Sequence, residues 1–230
     1  MKIFEGRHDD EMAARLIGFV RDWATMLTNE FVRLRAGGVI LDRRAVLLPS
    51  VPQPHLPALV GLLVRSGAAF LGDEMVNLDP ILHRIHGLSL PLRVDADDLM
   101  LFPELRREPS SAPRWKLDPG PGLEGITTRR TVAVQELGGM QGGPANVGWI
   151  VFPQFEPGSE TRLEPFGGAP ALFAFTQAVM NLHVWEERAL TLMRDVLEEV
   201  AVSRLVIGSL PEAADLIRRT APGLLKGVTA

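Results

Sequence analysis

Two adjacent carboxylates, Asp73 and Glu74, stand between the short apolar stretches Ala68 to Leu71 and Met75 to Leu78, which read as extended. Acids at a strand break suit two tasks. Oxygen ligands satisfy magnesium, and a carboxylate within reach of a hydroxyl can take its proton. The plain alternative is a pair of solvated acids in a turn. His83 and His86 follow in an H-x-x-H spacing near Asp73 and Asp79, a donor set that could coordinate zinc or another divalent ion. That spacing works best on a helix, whereas Ile81 to Pro91 reads as extended or irregular, which favours ordinary surface or packing histidines. Asp95, Asp97 and Asp98 lack the glycine and terminal glutamate of a calcium loop and read as solvent-facing acids or caps. Lys116, Arg129 and Arg130 could face an anion, but three separated basic residues are expected to form a solvated face.

Phosphate chemistry has its own signature, a strand that feeds a glycine-rich loop and then a helix, with lysine beside the phosphates. Leu47 to Val60 has that position in the chain and contains neither glycine nor lysine. Pro49, Pro52, Pro54 and Pro57 cannot donate a backbone hydrogen bond at all. Gly138 and Gly143 repeat the outer spacing of such a loop, but Pro144 and Ala145 stand where lysine and hydroxyl belong, and a strand follows, so a hairpin loop is expected. No G-x-S-x-G string or dinucleotide fingerprint is present, and the absence of cysteine removes thiolate chemistry.

The elements that must position these residues alternate. Met12, Leu16, Phe19, Val20, Trp23, Leu27, Phe31 and Leu34 recur at helical steps, which predicts an amphipathic docking helix ended by Gly37. Residues 1–37 are accordingly set apart from an α/β unit spanning 38–230. Val39 to Leu41 and Ala45 to Leu48 predict two strands joined by the polar turn Asp42 to Arg44, and Leu56 to Arg65 predicts a helix with Pro57 in its first turn and Gly67 past its end. From Ile81 to Gly125 only Leu88 to Val94, Asp98 to Arg107 and Arg114 to Leu117 suggest elements. Thr131 to Leu137 and Gly148 to Pro153 predict a hairpin across the glycine loop. Two helices over Pro170 to Asn181 and Val184 to Val200, a strand over Ser203 to Ile207 and a helix from Pro211 to Arg219, with Ser209 and Glu212 at capping-box spacing, complete a mixed α/β sheet flanked by helices.

Bulk properties narrow the partners. The 230 residues are 46% hydrophobic and 23% charged, with a formal net charge of −4 and a pI near 5.8. Such a surface is not built for nucleic acid or anionic lipid, whose binding rests on clustered Lys and Arg. Met1 to Glu11 is charged throughout, with no apolar signal region, and no run is long enough to span a bilayer, so a soluble, cytoplasmic protein is expected.

Three strings together carry a family resemblance: RAGGVILDRRAVLLP at Arg35 to Pro49, LVRSGAAFLGDEMVNLDP at Leu63 to Pro80, and GWIVFPQFEPGSETRLEPFGGAPAL at Gly148 to Leu172. With the order of elements, they resemble the HPr kinase/phosphorylase family, in particular its shorter HPr-kinase-related branch of the P-loop kinases. The resemblance implies a P-loop kinase-like fold in which the second run of the first string delivers the loop G-x-x-x-x-G-K-[ST]. Here Ser50 stands at the first glycine, His55 at the second, Leu56 at the lysine and Pro57 at the magnesium-binding hydroxyl, so every signature position of the cradle has changed. Losing three donors and the lysine, at roughly 1.5–3 kcal/mol each, removes several powers of ten in triphosphate affinity.

The same resemblance implies that Asp73 and Glu74 match an acidic pair in which one carboxylate helps hold magnesium and the other deprotonates the acceptor serine, Asp73 being the metal ligand if nucleotide is bound. Where the family commonly has a histidine in the early strand region, this chain has Arg35. Three functions remain open. One is a pseudokinase or regulatory partner that recognises a protein or peptide and needs no cofactor. Another is a divergent serine kinase or phosphotransferase that uses Asp73 and Glu74 with ATP and magnesium. The third is a structural subunit of a larger assembly. The family also suggests self-association as a homo-oligomer.

Overall fold

The computed structural model describes residues 29–50, 55–88, 90–106 and 129–225. The strands are β1 (Val32–Leu34), β2 (Ala36–Leu41), β3 (Arg44–Pro49), β4 (Ala69–Gly72), β5 (Val76–Leu78), β6 (Arg84–His86), β7 (Leu92–Asp95), β8 (Arg129–Val132), β9 (Ala145–Phe155), β10 (Arg162–Pro165) and β11 (Ala201–Ile207). The helices are α1 (Leu56–Arg65), α2 (Gly168–Gln177), the single turn α3 (Leu182–Trp185), α4 (Glu187–Glu199) and α5 (Leu210–Leu225). Short 3-10 turns span Ala96–Leu101, Pro103–Arg106 and Val134–Leu137.

The β2–β3 hairpin forms as its sequence predicts, with Leu41 opposite Arg44 and the two turn residues Asp42 and Arg43 both left-handed at φ 46° and 66°. Two left-handed centres make the turn type that matches strand twist, and that conformation favours glycine. Arg43→Gly is therefore expected to raise stability by about 0.5–1 kcal/mol, read as a shift of the urea midpoint.

β3 continues as the first of three parallel strands, β3, β9 and β11, at the centre of a nine-stranded sheet. On one side β2 adds antiparallel to β3 and β4 antiparallel to β2, and on the other β10 adds antiparallel to β11. β9 is 11 residues long, and its first residues also hold β6, which leads through β5 to β1. Alternation along the strands loads both faces. Val46, Leu48, Trp149 and Val151 join α1 and α5 on one side, while Ala45, Leu47, Ile150 and Phe152 join α2 and α4 on the other. Between β3 and β9 the register slips where Ala45 faces Val147 but Val46 faces Trp149. Gly148 lies at that bulge because a Cβ there would come within 2.8 Å of Arg44 and 2.6 Å of Leu225. The architecture is thus α/β, a mixed sheet flanked by helices. Among the described residues, no helix is long and apolar enough to cross a membrane.

Three expectations change. The apolar stripe of the docking helix does not run on as helix to Leu34. Val32–Leu34 is a strand, and Gly37 lies inside β2 rather than at a helix end. Strand wins because both edges of β1 are taken: β5 pairs with one, and residues 178–181 bond the other through Arg35 N–H to the Ala178 carbonyl and Met180 N–H to the Arg33 carbonyl. The part of that helix before Asn29 lies outside the described residues, as does Arg114 to Leu117.

The hairpin expected from Thr131 to Pro153 is absent. β8 stops at Val132, Val134–Leu137 forms a 3-10 turn, and β8 pairs with β7 in a separate two-stranded ribbon. The glycine loop instead runs beside β4, where Phe70 N–H donates to the Met140 carbonyl and Gly142 N–H to the Phe70 carbonyl. Gly138 does take a left-handed φ of 71°.

Third, Asp95 and Asp98 are buried, each 6% exposed, whereas only Asp97 of the triplet faces solvent. Burial follows from the ribbon, which with Phe102 and Leu105 covers the outer side of α1 and leaves Leu56 through Val64 of that helix wholly inside.

Candidate functional site

Parallel strands gather their C-terminal ends along one sheet edge, the usual place for chemistry in an open α/β sheet. β3 ends there at Pro49, followed by Ser50, and α1 starts from the same edge at His55. β4 runs parallel to β3, being antiparallel to the β2 between them, so Asp73 and Glu74 leave β4 at the same edge. One peptide stretch ties the two groups together: the Arg35 carbonyl accepts from Ser50 N–H at 3.1 Å, and Ala36 N–H donates to the Glu74 carbonyl at 3.1 Å. Ser50 and the acidic pair, singled out separately in the sequence, are thus brought to one place. Residues 51–54 lie outside the described residues.

The mouth of α1 is built without a phosphate-type cradle in its described part. His55 is left-handed at φ 73° and makes no side-chain cap. Its Nδ1 lies 2.9 Å from both carboxylate oxygens of Asp98, and its ring packs 5.7 Å from that of Phe155 at the end of β9. The imidazole is partly exposed while the carboxylate is nearly closed off. A negative group at a helix N-terminus is favoured by the aligned peptide dipoles. Leu56 turns into the core, 4% exposed, lying over β2 close to Gly37. Pro57 sits in the first turn with no N–H, and Leu59 N–H is taken by the His55 carbonyl at 3.0 Å.

The acidic pair is engaged by β7. Arg93 N–H donates to Asp73 Oδ2 at 2.8 Å, and the Arg93 guanidinium bonds Glu74. Burial pushes the Asp73 carboxyl above its usual range, and the neighbouring Glu74 charge acts the same way, while the Arg93 N–H and guanidinium oppose them. A raised pKa means that the protonated form favours folding. That contribution is fully present below the ordinary value of 3.8 and is lost as pH rises through the folded-state value. Asp73→Asn keeps a carbonyl for Arg93 N–H and removes the buried charge. It is expected to cost no stability at neutral pH, against about 1–3 kcal/mol for loss of a needed acceptor. Urea unfolding from acid to neutral pH should show the variant gaining on the wild type as pH rises.

Other candidates separate. His83 Nδ1 pairs with Glu199 at 2.9 Å, and His86 Nε2 lies 3.8 Å from Asp79 Oδ2, so the two imidazoles address different carboxylates from strand and turn positions. Among the described residues no group of three His, Cys, Asp or Glu could hold a metal ion. Asp79 itself accepts from Ile81 and Leu82 N–H, which holds its carboxyl below the ordinary range. Arg130 bonds the Leu105 carbonyl and lies 3.5 Å from Glu136, so it braces the ribbon instead of forming a solvated face. Lys116 lies outside the described residues.

The sequence reading missed Arg93 and Asp98. Asp98 was visible within an acidic triplet, but nothing local told which of the three would turn inward. No family model matches the chain, and no curated protein matches it either.

Proposed function

We propose that this chain is an HPr-kinase-like scaffold that has lost ordinary nucleotide binding and works as a regulatory partner, recognising a protein or peptide in the cytoplasm. The observation that carries the reading is the mouth of α1. Where the resemblance places the phosphate-binding lysine, Leu56 is buried in the core. Where it places the magnesium-binding hydroxyl, Pro57 occupies the first turn, and at the second glycine His55 is engaged by Asp98. Ser50 N–H, at the first glycine, is spent on the Arg35 carbonyl. A side-chain carboxylate thus stands beside a helix N-terminus that would otherwise attract a phosphate, and its charge repels one.

The second reading is a divergent serine kinase or phosphotransferase with ATP and magnesium. It is favoured by the shared sheet edge that joins Ser50 to Asp73 and Glu74, and opposed by the Arg93 contacts that already occupy both acids. Calorimetry with ATP, GTP and pyrophosphate, each with and without magnesium, separates them. No binding is expected under the regulatory reading. Micromolar binding that Asp73→Asn abolishes would establish the kinase reading instead.

A further inference from the structure

Five apolar side chains stand open on the helical layer over one face of the sheet: Phe173 on α2, Met180 just past it, Leu182 and Val184 on α3, and Leu190 on α4. α2 and α4 pack side by side and α3 packs against α4, so the elements that carry these residues form one helical layer. A monomer seldom leaves several large apolar groups together without an occupant.

The chain enters the described fold beside this surface. Asn181 Oδ1 accepts from Arg33 N–H at 2.9 Å, its Nδ2 donates to the Phe31 carbonyl at 3.0 Å, and Arg33 bonds Asn29 at 3.2 Å. Phe31 is therefore fastened to the residue between Met180 and Leu182. Residues 10–27 immediately precede this anchor, and Met12, Leu16, Phe19, Val20, Trp23 and Leu27 recur there at three- and four-residue steps. As a helix, that stretch would be about 27 Å long and would present one continuous apolar stripe.

We infer that residues 10–27 dock on the Phe173–Leu190 surface of their own chain. Position of entry, length and apolar pattern all point to this occupant. A tether of a few residues from Leu27 to the Asn29 anchor gives the segment an effective concentration near the millimolar range at this surface, which favours it over a second copy or an external peptide.

The natural chain has no cysteine, so engineered pairs can be read without background. Leu16→Cys is combined in the full chain with Phe173→Cys, with Leu190→Cys, or with Met140→Cys as a control. Met140 is exposed beside β4. Thirteen extended residues reach about 40 Å, so the tether alone does not select among the three. Under mild oxidation, at least one of the first two pairs is expected to form an intramolecular disulfide about tenfold faster than the control. Disulfide dimers would overturn the inference in favour of a second copy, and equal rates for all three pairs would overturn it outright. As an independent check, Phe173→Glu with Leu190→Glu changes only exposed positions. It should speed tryptic cleavage at Arg15 and Arg21 about tenfold, since ejecting an occupant worth about 1.4 kcal/mol has that effect. Unchanged cleavage would equally overturn the inference.

Discussion

Leu56→Lys is expected to lower the unfolding free energy by about 3 kcal/mol, and thermal melting by roughly 6–12 °C, without conferring affinity for ATP. The reason is orientation. Leu56 opens α1, yet its side chain lies over β2 close to Gly37 within the cluster that holds Leu48, Leu59 and Val60. An ammonium placed there loses its hydration among apolar side chains. In a working phosphate cradle the same substitution would aim a charge at the ligand and cost little. Melting curves with and without ATP and magnesium separate the cases: a variant of wild-type stability that is further stabilised by nucleotide would refute the lost-cradle reading.

Phe102→Ala should be comparably severe, at about 3–5 kcal/mol. Its ring is fully buried between the ribbon and α1, so close that a Cβ on Gly61 would lie 2.9 Å from its Cζ, and the Arg65 guanidinium stacks 5.3 Å above it. Gly61 weakens the helix by about 1 kcal/mol relative to alanine, and the close approach of Phe102 and Leu92 is what it permits. Truncating the ring leaves a cavity that a rigid sheet on the far side of α1 cannot collapse into. Phe102→Leu should restore most of the loss, because its volume change is small. If alanine and leucine behave alike in denaturant titrations, the ribbon does not clamp α1.

How far the sequence carried this picture depends on whether a feature is local. α1 was legible from Leu56 to Arg65 because proline and glycine punctuate both ends, and the β2–β3 turn because Asp42, Arg43 and Arg44 interrupt two apolar runs. The partner of β8 was not legible. A glycine-rich loop between two extended stretches looks the same whether it closes a hairpin or runs along a third strand, and β7, the actual partner, lies far back in the chain. β1 was misread for a related reason: Phe31 and Leu34 satisfy helical spacing, but tertiary pairing with β5 and residues 178–181 outweighs it. In the site, Asp73 and Glu74 stood out as neighbours, while their partner Arg93 and the His55–Asp98 contact depend on β7 crossing α1. No periodicity encodes that crossing.

The long strand β9 has a kinetic consequence. It is held by β3 on one edge and by β6 and then β11 on the other, so Ala45 meets Val147 and Phe155 meets Ile207 through the same eleven residues. The first of these contacts closes a loop of about a hundred residues, and parallel pairings of such range form late because loop entropy is spent before they are made. Without β9, neither the stretch before it nor the stretch after it completes the nine-stranded sheet. Folding should therefore be slow and all-or-none across the described domain, and a chain cut between β8 and β9 should give two halves that acquire structure only when mixed.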